Sequence, residues 1–173
     1  MNVLGIGISK KRVTLALVKH RDIIGINNKT KNFELLKLQY LYIPKNTFEK
    51  ISTIFYKFDN LDIIKHCDMC RIMHHRDVQT SGETLAVKEM LYLLLVEQLR
   101  KMKKKFYAEK ARVVQYRFGN KKFWGYKKLE PWLLQNVEGL TREMLMGRNG
   151  VLAQTVLTIS TACSKKLSKY NWI

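Results

Sequence analysis

The stretch that most constrains this chain is its opening, Asn2 to Lys19, in which two apolar runs, Val3 to Ile8 and Val13 to Val18, flank the tetrad Ser9-Lys10-Lys11-Arg12. Two short apolar runs joined by a polar turn predict a β-hairpin, and the rest of the chain reads as completing the sheet it starts. A short apolar strand carrying Gly5 and Gly7 and ending in a polar turn is also how many enzymes begin that place one acidic residue at the tip of the first strand. No Asp or Glu lies between Met1 and Arg21.

Beyond the hairpin, Arg21 to Lys31 is polar, with Asn27-Asn28 as turn formers. Phe33 to Ile43 is rich in aromatic and apolar residues and predicts a third strand, stopped by Pro44. Asn46 or Thr47 can cap a helix whose apolar residues Phe48, Ile51, Ile54, Phe55 and Phe58 recur at helical spacing. Cys70 to His74 predicts a buried fourth strand entering a polar loop, Arg76 to Gly82. A long amphipathic helix follows over about 83–104, its basic C-terminal end favourable to the helix dipole. Ala111 to Phe118 predicts a fifth strand, Pro131 starts a short helix, and Val151 to Leu167 predicts the last helix. The sequence contains no internal repeat.

With 173 residues, 46% of them hydrophobic, the chain predicts one domain, 1–173, with a sizeable core. Its balance of 32 Lys and Arg against 14 Asp and Glu, a formal charge of +18, is most easily tolerated when an anionic partner screens it. Nucleic acid, DNA or RNA, is the expected partner, with an anionic membrane surface or an acidic protein as alternatives. The N-terminal apolar run is too short, and too interrupted by glycine, for a signal peptide or a membrane span. Three cysteines, Cys67, Cys70 and Cys163, are too few and oddly numbered for a secreted disulfide scaffold, so a cytoplasmic protein with reduced thiols is expected.

The predicted order is β-β-β-α-β-α-β-(α)-α, an α/β mixed five-stranded sheet: an antiparallel meander, then strands added by crossover helices that pack on the sheet. With this order, the opening Leu4-Gly-Ile-Gly-Ile8, and Arg71-Ile-Met-His-His75 followed by a Ser/Gly loop and the long helix from Glu83, the chain resembles the RNase H-like superfamily. Within it, the chain is most similar to the RuvC-like branch of Holliday-junction resolvases and their relatives. Across most of its length the resemblance implies an RNase H-like domain.

In active members of that superfamily, carboxylates on the first strand, the end of the fourth strand and the last helix hold two divalent metals that drive phosphodiester cleavage. Here the first-strand acid would fall near Gly7, and 151–166 contain no carboxylate. Only Asp68, Asp77 and Glu83 remain as candidates, so Mg or Mn is expected only if a displaced acid set supports nuclease activity. Glu83 also suits the start of a helix, and Asp77 a loop. Cys67-x-x-Cys70 with His74 has zinc-like spacing, but strand alternation and the lack of a second Cys-x-x-Cys favour two core cysteines, and no cofactor is expected.

Basic residues interleave with aromatics through Lys101, Lys103, Lys104, Lys105, Arg112, Arg117, Lys121, Lys122, Trp124, Lys127 and Lys128. Cations neutralise phosphates and exposed rings stack on unpaired bases, so these residues, with Lys10, Lys11, Arg12 and Arg76, form the expected nucleic-acid surface. No P-loop, dinucleotide fingerprint, Gly-x-Ser-x-Gly elbow or HExxH is present. The leading expectation is a nucleic-acid-binding protein, catalytically inactive or altered. Two alternatives are a metal-dependent structure-selective nuclease and a cationic interaction module or inhibitor of an acidic partner. A homodimer through the apolar faces of the last two helices is compatible with the pattern, and so is a monomer.

Overall fold

In the computed structural model the described residues are 1–21, 31–74, 82–110, 126–147 and 150–161. Strands β1 (Asn2–Ile8), β2 (Arg12–His20) and β3 (Phe33–Tyr42) form the antiparallel meander that the opening hairpin predicts. Strands β4 (Met69–His74) and β5 (Phe106–Lys110) run parallel to β1, and β6 (Val137–Glu138) runs parallel to β3. The sheet therefore has six strands, in the order β5-β4-β1-β2-β3-β6. The expected count of five missed β6, which pairs only Phe33 and Glu34 and is too short to leave a periodic signal. The chain also enters β5 at Phe106, earlier than the apolar run suggested; residues 111–118 lie outside the described residues.

The helices are α1 (Thr47–Ser52), α2 (Asp62–Lys65), α3 (Gly82–Lys101), α4 (Tyr126–Asn136) and α5 (Gly150–Thr161). Asn46 caps α1 by accepting from the backbone N–H groups of Phe48 and Glu49, as its sequence position predicts. The helical run continues to Phe58 as a π-helical segment, which buries Ile54 and Phe58. Just past the end of helix α3, Lys103 takes a left-handed φ of 53°, while the Lys104 N–H donates to Leu99 O at 2.9 Å. This is a C-terminal closure at a position that favours glycine. Helix α4 starts five residues before Pro131, the expected start; the proline sits inside the helix. Burial of Leu129 and Leu133 on either side of it holds that helix to the core despite the lost backbone donor.

Continuous apolar runs in β1 and β2 have their reason here: both faces of the hairpin are covered. Leu4, Ile6, Ile8, Val13, Leu15 and Leu17 pack against the layer formed by the π segment, α2 and α3. On the other face Ala16 and Val18 meet α4 and α5 through Leu133, Val156 and Leu157. Strands β1, β4 and β5 all end at one edge of the sheet, where the β1–β2 turn and the start of α3 also lie.

Candidate nucleic-acid interface

The helix-covered face under α5 is the place where strand tips and the last helix converge. Gly5 and Gly7 face it, and α5 lies closer to them than any side chain would permit. A Cβ at Gly5 would meet Val156 O at 2.5 Å and Ser160 Cβ at 3.1 Å; one at Gly7 would overlap Val156 Cγ2 and approach Leu152 Cδ1 to 3.0 Å. On β4, Arg71 stands in register with Gly5, and Met73, two residues further, packs with Leu152 and Ile159. Strand and helix are thus joined at the tip by Gly7, Met73, Leu152 and Val156.

Among the described residues, the polar groups of this layer include Thr14, in register with Gly7, and Gln154 of α5, whose Oγ1 and Oε1 are buried with no hydrogen-bond partner. Thr158 donates to Gln154 O (2.7 Å), Ser160 to Leu157 O (2.9 Å) and Thr161 to Thr158 O (3.1 Å), so these three hydroxyls are satisfied within α5. Arg71 is 1% exposed. His20 Nε2 lies 2.7 Å from Ser160 O, and burial, followed by the positive charges of Arg71 and the N-terminus, pulls the imidazole pKa below its ordinary value despite that hydrogen bond. Among the described side chains this contact supplies no carboxylate to a hard divalent cation; Glu109 of β5, in register with Met73, has its side chain outside those described. The metal pair that the superfamily resemblance implies lacks its carboxylate ligands among the described side chains of this contact. Among the described residues, no three His, Cys, Asp or Glu side chains are grouped to hold a metal ion.

The expected acids are separated. Asp68 accepts from the Asn2 backbone N–H at 2.6 Å, at the edge where β1 and β4 begin. Glu83, at the start of α3, pairs with Lys10 at 3.1 Å, at the edge where β1 ends. The six residues of β4 between these edges put them roughly 20 Å apart. Asp77 lies outside the described residues.

Cys67 and Cys70 come together with sulfurs 3.5 Å apart, both buried, and Cys67 also donates to Ile64 O at 3.1 Å. Their shared hydrogen bond lowers the Cys67 thiol pKa and, with burial, raises that of Cys70. His74 is four strand residues beyond Cys70, roughly 13 Å along β4, so the zinc spacing is not gathered into one site.

The basic residues divide in the same way. Ser9 pins the β1–β2 turn through hydrogen bonds with Arg12 backbone groups (2.9–3.2 Å), exposing Lys10 and Lys11 at the edge where β1 ends. Arg12 places its guanidinium 5.8 Å from the Tyr40 ring centroid. Lys103, Lys104 and Lys105 instead precede β5 and stand at the opposite edge. There Lys104 is committed to the carbonyls of Lys65 (3.2 Å) and Cys67 (3.0 Å). Arg76, Arg112, Arg117, Lys121, Lys122 and Trp124 lie outside the described residues, as do the side chains of His74, Lys127 and Lys128.

Two residues the sequence marked only as strand formers join the Lys10–Arg12 edge: Tyr40 and Tyr42, the latter 70% exposed and in register with Arg12. An exposed aromatic at the last position of a strand, opposite an arginine, is the signal that could have found them.

No protein-family model matches the sequence, and no curated protein matches it in sequence. At the level of structure the chain has the RNase H-like fold in its RuvC-like form. Thermus thermophilus RuvC in complex with Holliday junction substrate superposes with a TM-score of 0.71 at 11% identity, covering 91% of this chain and 92% of that one. The yeast mitochondrial Holliday junction resolvase Ydc2 gives 0.60 at 14%, covering 98% and 81%. The fowlpox virus resolvase, in its complex with substrate Holliday junction DNA, gives 0.52 at 9%, covering 98% and 99%. Among the described residues, no helix is long and apolar enough to cross a membrane.

Proposed function

We propose that this protein binds nucleic acid through the sheet edge where β1, β4 and β5 end, without the two-metal cleavage of the fold's active members. The observation that carries the second half is the contact under α5, where Gly7, Met73, Leu152 and Val156 occupy the meeting point of first strand, fourth strand and last helix beside buried Arg71. Net charge of +18, the exposed cations of the β1–β2 turn, and structural neighbours solved with Holliday junction DNA support the first half. Binding measured against salt tests it. Each phosphate neutralised adds about −0.9 to the slope of log affinity on log salt for duplex DNA, so a steep slope is expected and a flat one rejects the reading.

A second reading, a metal-dependent structure-selective nuclease, draws on the resolvase neighbours. It requires a displaced acid set in which Glu83 and Asp77 act at this edge, with Asp68 too distant to join them. Cleavage of branched DNA in Mg²⁺ or Mn²⁺, lost in Glu83→Gln and in Asp77→Asn, establishes that reading; no cleavage under either metal removes it.

A further inference from the structure

Beyond the Lys10–Arg12 edge, the structure holds a groove along β3. Strand β6 covers β3 only at Phe33 and Glu34, so from Leu35 onward the outer edge of β3 has no strand partner among the described residues. The chain turns away at Gly139, whose φ of 77° takes the left-handed region, and returns as the single turn Glu143–Leu145. Between that turn and β3 lies an open groove of about 500 Å³, walled by Leu36, Leu38 and Tyr40 on one side and Met144 and Met146 on the other, with Lys37 and Glu143 at its rim. Leu36 and Met146 are exposed, large and apolar. Tyr42 projects from the same face of β3 two residues beyond Tyr40, next to Arg12, so the groove runs toward the cationic turn.

We propose that this groove, with Tyr42 at its mouth, takes the unpaired bases of a single-stranded nucleic-acid segment whose phosphates lie on Lys37, Arg12 and the Lys10–Lys11 turn. The proposal rests on the nucleic-acid reading above and adds the form of ligand. A duplex presents phosphates and groove edges and gives an apolar wall little to contact. Unpaired bases present flat apolar faces that stack on tyrosine and methionine, while their backbone remains available to cations. Glu143 is consistent with bases rather than phosphates in the groove: a carboxylate repels phosphate but accepts from an exocyclic amine, as on cytosine. Its own backbone N–H and Thr141 lower its pKa, which keeps it ionised.

The test compares a 12-mer of oligo-dC, a 12-mer of oligo-dT and a 12-base-pair duplex by fluorescence anisotropy, using the full chain and the variants Tyr42→Ala, Tyr42→Phe and Glu143→Gln. Tyr42 is largely exposed, so its variants keep the fold, which circular dichroism verifies. Expected are a loss of about tenfold in single-strand affinity for Tyr42→Ala, duplex affinity within about twofold of wild type, and no change for Tyr42→Phe. Wild type prefers oligo-dC to oligo-dT, and Glu143→Gln narrows that preference. Equal loss on single strand and duplex, or loss on neither, overturns the groove assignment while leaving the nucleic-acid reading standing. Failure of wild type to bind any of the three ligands overturns both.

Discussion

Adding one methyl group to β1 tests the contact under α5 directly. At Gly5 the new Cβ meets a backbone atom, Val156 O, at 2.5 Å, and Val156 Cγ1 at 3.0 Å. A helix carbonyl cannot rotate away, so the helix must lift from the sheet. At Gly7 the obstacles are side-chain atoms of Val156 and Leu152. Leucine can change rotamer, but valine in a helix is held to one χ1 well, so relief is partial. Overpacking costs about 1–3 kcal/mol, and the entropy gain of Gly→Ala offsets about 0.4–1 kcal/mol of it. We therefore expect Gly5→Ala to destabilise by about 1.5–2.5 kcal/mol and Gly7→Ala by about 0.5–1.5 kcal/mol in urea unfolding, with unchanged m-values. Gly7→Asp, which restores an acid to the strand tip, adds a buried carboxylate against leucine and valine, and its total cost should reach about 4 kcal/mol or more. Adding Val156→Ala to Gly7→Ala should cost less than the two single changes summed, because the second removes the first one's obstacle. Neutral Gly5→Ala and Gly7→Ala variants would falsify the packing argument. So would a Gly7→Asp protein that stays stable and acquires Mg²⁺-dependent cleavage.

Four further outcomes follow from the geometry. His20 has a folded pKa below its unfolded value of about 6.5, so the unfolded chain takes up a proton that the folded one refuses; stability should fall as pH drops through about 6.5, by at most about 1.4 kcal/mol per pH unit. His20→Gln should flatten that dependence in urea titrations at pH 5 and 7.5. Lys103→Gly relieves a left-handed lysine and should raise stability by about 0.5–1 kcal/mol in the same assay. Lys10→Ala should shift stability by less than about 1 kcal/mol, since its pair with Glu83 is exposed at both ends. Lys10→Ala with Lys11→Ala should reduce the salt slope of nucleic-acid binding by about 2, read from anisotropy at four salt concentrations.

Much of the framework was legible because it rests on local signals. The polar tetrad between two apolar runs located the β1–β2 turn, Pro44 bounded β3, and Asn46 marked the start of α1. Equally plain was that no Asp or Glu falls at Gly7 or within 151–166. What escaped was contact across the chain. Strand β6 is two residues long and owes its strand geometry to pairing with Phe33 and Glu34. Asp68 and Glu83 are parted by the full length of β4, and the Lys103–Lys105 run stands where β5 begins, opposite the β1–β2 turn.

The sequence by itself determined that a hairpin-led α/β sheet forms, that the surface is strongly basic, and that the first strand and last helix carry no carboxylate, because periodicity and charge are local properties of the chain. Only the tertiary structure decided what packs at the tip of the first strand. Gly5 and Gly7 permit α5 to close on the sheet, and Val156, Leu152, Met73 and Arg71 reach that place from two other elements. It decided also which cations share an edge with Tyr40 and Tyr42, since strand direction, not distance along the chain, sets the edge at which a residue emerges.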